Sequence, residues 1–93
     1  MALEVRVVTP EREVWSGVAD MVIAHGVEGD VGILQGHAPL LVRLAEGTVR
    51  IQTGGREERI PVAGGFLHVT SDEGATRVDV LADASSPAAG AQG

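Results

Sequence analysis

Cysteine, tyrosine and lysine are absent from the 93 residues. Without cysteine there is no disulfide scaffold, no thiolate zinc site and no thiol nucleophile. Without lysine there is no Walker-type phosphate loop and no Schiff-base chemistry. All seven cations are arginines (Arg6, Arg12, Arg43, Arg50, Arg56, Arg59 and Arg77), set against 13 acids for a net charge of −6. That balance is wrong for a nucleic-acid binder, which needs a basic footprint to displace counterions. Aromatic rings are nearly missing too, with only Trp15 and Phe66. No platform for stacking bases or sugars can be built from two rings. No apolar run approaches the ~18 residues of a membrane-spanning helix. Met1-Ala2-Leu3-Glu4 does not start a basic segment followed by an apolar one, so no signal peptide is expected.

The chain does hold the materials of a sheet. At 9.6 kDa it is one domain's worth of residues. Valine supplies 14 of them and glycine 13, a pairing that favours short strands and tight turns. Leu3 to Val7 alternates apolar and charged, which puts Leu3, Val5 and Val7 on one face. Glu13 to Ser16 resumes the extended pattern, with a bend or bulge expected at Gly17. Asp20 to His25 and Val31 to Leu34 read as strands around an acidic turn, Gly26 to Asp30. Leu40 to Leu44 reads as mostly buried. Thr48 to Thr53 and Arg56 to Ala63 form a hairpin about Gly54-Gly55. Phe66 to Thr70 and Thr76 to Ala82 form another. The expected fold is all-β, an antiparallel β-sandwich or flattened barrel of about eight to ten short strands. It occupies residues 1–83, and an uncharged Ala/Gly/Ser/Pro segment, residues 84–93, reads as a flexible tail.

Catalytic readings find little support. His25, His37 and His68 stand 12 and 31 residues apart, which matches no local metal-ligand spacing. No G-x-S-x-G elbow surrounds any of the four serines. Glu57 and Glu58 are strand neighbours, so they face opposite ways and do not form a carboxylate pair. Gly29 to Gly32 and Gly64-Gly65 precede no helix, so they do not cradle phosphate. No catalytic residue, metal or cofactor is expected. The acidic turn remains a good dock for a partner's arginine.

Glu28-Gly29-Asp30-Val31-Gly32-Ile33-Leu34-Gln35-Gly36-His37-Ala38-Pro39-Leu40-Leu41 closely resembles the central signature of the epsilon subunit family of F-type ATP synthase. Val8 to Gly17, Gly64 to Val69 and Val78 to Asp83 resemble further segments of that family, in the same order. The resemblance covers residues 3 to 83. It implies a ten-stranded β-sandwich and a non-catalytic rotor subunit of the central stalk. Its implied partners are the gamma subunit and the polar loops of the membrane c-ring. It implies location at the cytoplasmic face of the bacterial membrane, with membrane association only through the complex. It points to Glu28, Asp30 and His37 as contacts to the ring. The gamma contact is placed on Leu40, Leu41, Val42 and Leu44 with the adjoining face.

The stiffness such a rotor part needs is expected from a core of Val5, Val7, Ile23, Ile33, Leu41, Val49, Ile51, Val62, Leu67, Val69, Val78 and Val80. Two departures from the family pattern stand out. Gln35 occupies the place of the family's usual proline, which is expected to loosen this turn. The family's two-helix C-terminal domain is not represented in residues 84–93, so its inhibitory and ATP-binding roles are not carried over. A free-standing β-sandwich module for a peptide or small ligand is the competing reading. A small hydrolase or metal enzyme is a third, and it would require the histidines to converge.

Overall fold

The alternation of Leu3-Glu4-Val5-Arg6-Val7 becomes strand β1 (Leu3–Val8), with Leu3, Val5 and Val7 sealed from solvent and Glu4 and Arg6 exposed. The computed structural model describes residues 2–83, so the expected tail at 84–93 lies outside the described residues. Eight further strands follow: β2 (Glu13–Ala19), β3 (Met21–Gly26), β4 (Gly29–Leu34), β5 (Leu40–Leu44), β6 (Gly47–Thr53), β7 (Arg56–Val62), β8 (Gly65–Asp72) and β9 (Ala75–Ala82). No helix occurs among the described residues. The all-β expectation holds, with nine strands in one curled sheet.

Hydrogen-bonded neighbours run β2-β1-β9-β8-β5-β3-β6-β7, and β4 pairs with the other side of β3. One half is thus β2-β1-β9-β8-β5 and the other is β4-β3-β6-β7. A single pair, Gly26 with Leu44, joins β3 to β5. Inward residues from both halves form one aliphatic cluster, with Leu3, Val22, Ile33, Ile51, Leu67, Val69, Val78 and Val80 fully buried. Trp15 packs on its margin.

The two glycine hairpin residues do what the sequence required of them. Gly54 and Gly55 take φ values of 59° and 81°, the doubly left-handed turn that matches strand twist. Four details depart from expectation. β1 and β9 pair in parallel, Leu3 beside Thr76 through Val8 beside Leu81, so the sheet is not wholly antiparallel. A parallel pair needs a long crossover rather than a hairpin, and here the two strands come from opposite ends of the domain. The bulge lies at Val14, not Gly17: Val7 and Val8 pair with Trp15 and Glu13, leaving Val14 extra. Gly17 stays in register with Val5. Its missing side chain makes room for the Trp15 ring, which an added Cβ would meet at 3.1 Å. The acidic turn is tighter than expected, since Gly29 and Asp30 already belong to β4 and only Val27-Glu28 turn.

The fourth departure concerns the core. Ile23 is only half-buried, because Val22 and Ala24 take the inward positions of β3. Leu41 is 63% exposed. On β5 the inward set is Leu40, Val42 and Leu44, so Leu41 and Arg43 must point outward.

Candidate functional site

The Val27-Glu28 turn is short because Gly26 and Gly29 sit directly opposite each other. A side chain at Gly26 would collide with the Gly29 carbonyl oxygen at 2.7 Å and meet Val42 at 3.0 Å. The turn therefore presses close against β5. Two backbone bonds fix it there: Val27 N–H donates to the Arg43 carbonyl at 2.9 Å, and Ala45 N–H donates to the His25 carbonyl at 2.8 Å. The result is an open concavity of about 400 Å³, lined chiefly by Val27, Glu28, Asp30, Val31, Leu41 and Arg43. The acidic turn and the β5 strand were two separate candidate sites in the sequence, and here they are two walls of one surface.

The walls differ in chemistry. Glu28 and Asp30 contribute carboxylates, Arg43 a guanidinium, and Val27 and Leu41 apolar surface that is more than half exposed. Asp30 lies opposite His25 in the β3–β4 register, and its carboxylate oxygen meets the His25 Nδ1. Leu40 and Val42 line the floor, half-buried against the core. Leu44 is 4% exposed and belongs to the core cluster. The strand period turns it inward, so of the four β5 residues expected at a docking face it offers the least surface.

His37 does not join this group. It follows the far end of β4, and a six-residue strand sets roughly 16 Å between its ends. The loop holding it is fixed from elsewhere. His37 N–H donates to the Leu34 carbonyl at 3.1 Å. The Gln35 side-chain amide donates to the Gly74 carbonyl, and Gly36 N–H donates to the Thr76 hydroxyl, each at 2.8 Å. The His37 Nδ1 stands 2.8 Å from the Ala38 carbonyl oxygen, so it donates there, and Nε2 has no bond among the described residues. Gln35 thus makes a bond that proline cannot make.

Sequence reasoning missed Arg43 and a row beside it. Arg43 pairs with Phe66, Phe66 with Leu81, and Leu81 with Val8, all pointing outward across β5, β8, β9 and β1. Phe66 and Leu81 are 43% and 51% exposed. The signal was the strand alternation itself, which puts Phe66 out once Leu67 is in. His68 lies one row further along, between Leu41 and Asp79. The three histidines thus occupy three separate places. Among the described residues no group of three His, Cys, Asp or Glu side chains is placed to hold a metal ion.

The strongest electrostatic cluster lies on the β6–β7 hairpin, away from the concavity. The Glu57 carboxylate accepts from Arg50 at 2.9 and 3.1 Å, from Arg59 at 2.6 Å and from Gln52 at 3.2 Å. Those bonds, Arg50's first, hold its carboxyl at about 2, well below the usual range. Arg50 is raised in turn by the Glu57 bond. Every partner comes from the same hairpin, which reads as reinforcement of that hairpin rather than as a reactive group.

Comparison with known proteins agrees with this architecture. The family model for the ATP synthase delta/epsilon chain β-sandwich domain matches residues 2–88. The ATP synthase epsilon chain of Frankia casuarinae is 58% identical over 71 residues, covering 75% of this chain and 84% of its relative. That of Thermobifida fusca is 50% identical over 84 residues, covering 87% of this chain but 59% of the longer relative. Among solved structures, a chain in the Euglena gracilis mitochondrial ATP synthase OSCP/F1/c-ring assembly superposes with a TM-score of 0.73. At 22% identity, over 85% of this chain and 50% of that one, it shows likeness of fold. With its nine-stranded body and a family match across nearly its whole length, the chain belongs to the ATP synthase delta/epsilon chain family, as its β-sandwich domain.

Proposed function

We propose that this chain is a non-catalytic rotor subunit of the ATP synthase central stalk, joining the gamma subunit to the c-ring so that proton flow and ATP synthesis turn together. Residues 1–83 act as one rigid body in this role, at the cytoplasmic face of a bacterial membrane. The observation that carries the reading is the concavity between the Val27-Glu28 turn and β5, where carboxylates and exposed apolar surface share one side of the body. A close-packed aliphatic interior suits the load, because packed interiors have few voids and transmit strain.

The contacts divide by chemistry. Glu28 and Asp30 are assigned to cationic side chains of the ring's polar loops, with His37 as a separate contact at the other end of β4. A carboxylate forked on arginine contributes about 1.5–3 kcal/mol when partly desolvated and almost nothing when fully exposed. Gamma is assigned to Leu41, with Leu40 and Val42 below it and Phe66 and Leu81 beside it. A partly apolar strip of that kind suits a long-lived interface.

The test is retention of the tagged chain on purified gamma, alone and with the assembled catalytic head. One copy per head is expected. Asp30→Arg is expected to weaken retention on assemblies containing the c-ring while leaving the fold intact. A folded chain that never binds gamma or ring would transfer the reading to a free-standing binding module.

A further inference from the structure

We propose that Gln35 and Thr76 are positioning residues that set the His37 loop from the β8–β9 turn. The inward stripe of β9 is Thr76, Val78, Val80 and Ala82. Thr76 is the one hydroxyl in it, and it is 1% exposed. A buried hydroxyl in an apolar row is unfavourable unless it is bonded. Its partner is the Gly36 N–H, 40 residues away in sequence, at 2.8 Å. Two residues along β9, the inward residue is valine and reaches no loop.

The second tie is parallel to the first. The Gln35 amide donates to the Gly74 carbonyl, inside the turn that connects β8 to β9. Between Leu34 and Leu40 the loop's own backbone supplies one bond, His37 N–H to Leu34. Gly36 stands at φ 89° with no atom within 4 Å of an added Cβ, so its conformation is a torsional demand and not a packing one. A loop with one internal backbone bond, a local His37–Ala38 side-chain bond and a left-handed residue is held to the body by the two outside ties. His37 follows directly, with no bond to its Nε2 among the described residues.

The consequence for binding rests on His37 as a ring contact, but the positioning itself can be read without any partner. Amide exchange by NMR on the full chain is the measurement. Thr76→Val is expected to speed Gly36 exchange about fivefold, the scale of one net hydrogen bond. Thr76→Ser, which keeps the hydroxyl, is expected to restore it. The amides of Val78 and Val80 should stay unchanged in both. Gln35→Ala, at a half-buried surface position, gives a smaller acceleration in the same loop and serves if Thr76→Val does not fold. Unaltered Gly36 exchange in Thr76→Val, or in Gln35→Ala if that must serve, would overturn the proposal. On c-ring assemblies, Thr76→Val should weaken retention in the same direction as His37→Ala, with the double variant no weaker than His37→Ala alone. If His37→Ala binds normally, the ring contact is wrong while the exchange result still decides the positioning.

Discussion

Strands β1, β9 and β8 and strands β4 and β5 are built from similar residues to opposite ends. In the first set alternation is regular, and the inward residues Leu3, Val5, Val7, Leu67, Val69, Thr76, Val78 and Val80 are all sealed; only Ser71, at the end of β8, is exposed. In the second set only Ile33 and Leu44 are sealed. The physical cause is neighbourhood. β1, β8 and β9 each have a partner strand on both sides, β8 along its Gly65–Val69 half. β4 has one partner and carries Gly29 and Gly32, and β5 has a full partner only in β8. Stiffness is concentrated where strands are flanked, and contact surface is left where they are not. The proposed rotor role calls for both, and here they sit on different strands.

Two glycines sharpen that contrast most. Gly65 and Gly29 hold nearly the same torsion, φ 129° and 132°. At Gly65 an added Cβ would lie 2.2 Å from the Leu81 carbonyl oxygen and 2.8 Å from the Ala82 Cα, both backbone. At Gly29 it would meet nothing within 4 Å. Gly65→Ala should therefore cost roughly 3–5 kcal/mol, torsional strain and overpacking together. Gly29→Ala should cost roughly 1–3 kcal/mol from torsion alone. Urea denaturation of the two variants measures the difference. Equal losses would mean that the flanked strands yield as easily as the open ones.

Leucine truncation comes next in size. Leu67 is fully buried, so Leu67→Ala should lower stability by about 2–5 kcal/mol. The same truncation at Leu34, 55% exposed on β4, should stay within about 0.5 kcal/mol. Thermal unfolding followed by circular dichroism separates the two outcomes.

A smaller effect is expected on the β6–β7 hairpin, and it is pH-dependent. The Glu57 carboxyl is held at about 2 in the fold against an ordinary value of 4.5. A carboxylate with a depressed folded pKa stabilises fully above the unfolded value, and that contribution is lost as pH falls through the folded one. The window is thus pH 4.5 down to about 2. Glu57→Gln should flatten the stability profile within that window. A profile parallel to wild type across it would show that the arginine bonds contribute nothing to the fold.

The two regions also differ in how far they could be read from sequence. The β1, β8 and β9 stripes were legible because charged or polar residues such as Glu4, Arg6, His68, Thr70, Arg77 and Asp79 mark most outward positions, with Val8, Phe66 and Leu81 as the apolar exceptions. The Gly54-Gly55 hairpin was legible from its turn alone. Leu40 to Leu44 was not, because two leucines open the strand and neither announces its face. Arg43 held the answer: a cation belongs in water, and two residues back the same face holds Leu41. Val22-Ile23-Ala24 gave no such marker, and only pairing with Gly32 and Arg50 turned Ile23 outward. The concavity was out of reach of sequence, since it depends on Val27 in the β3–β4 turn meeting Arg43 on β5. The parallel β1–β9 pair was hidden for a similar reason, because pattern fixes faces but not partners.

Leu41 gives the smallest expected effect on stability and the most informative one on function. It is the most exposed large apolar residue among those described, at 63%. Its truncation removes almost no buried surface, so Leu41→Ala should unfold within about 0.5 kcal/mol of wild type. If it is a central anchor against gamma, the same change should weaken binding by about 1–2 kcal/mol, roughly five- to thirtyfold, as truncated interface anchors do. Titration calorimetry against gamma supplies the second number and denaturation the first. Loss of stability without loss of binding would place Leu41 in the body and erase the distinction between flanked and open strands. Loss of binding alone would place the gamma contact on the outward face of β5, reached by the same alternation that turns Leu40, Val42 and Leu44 inward.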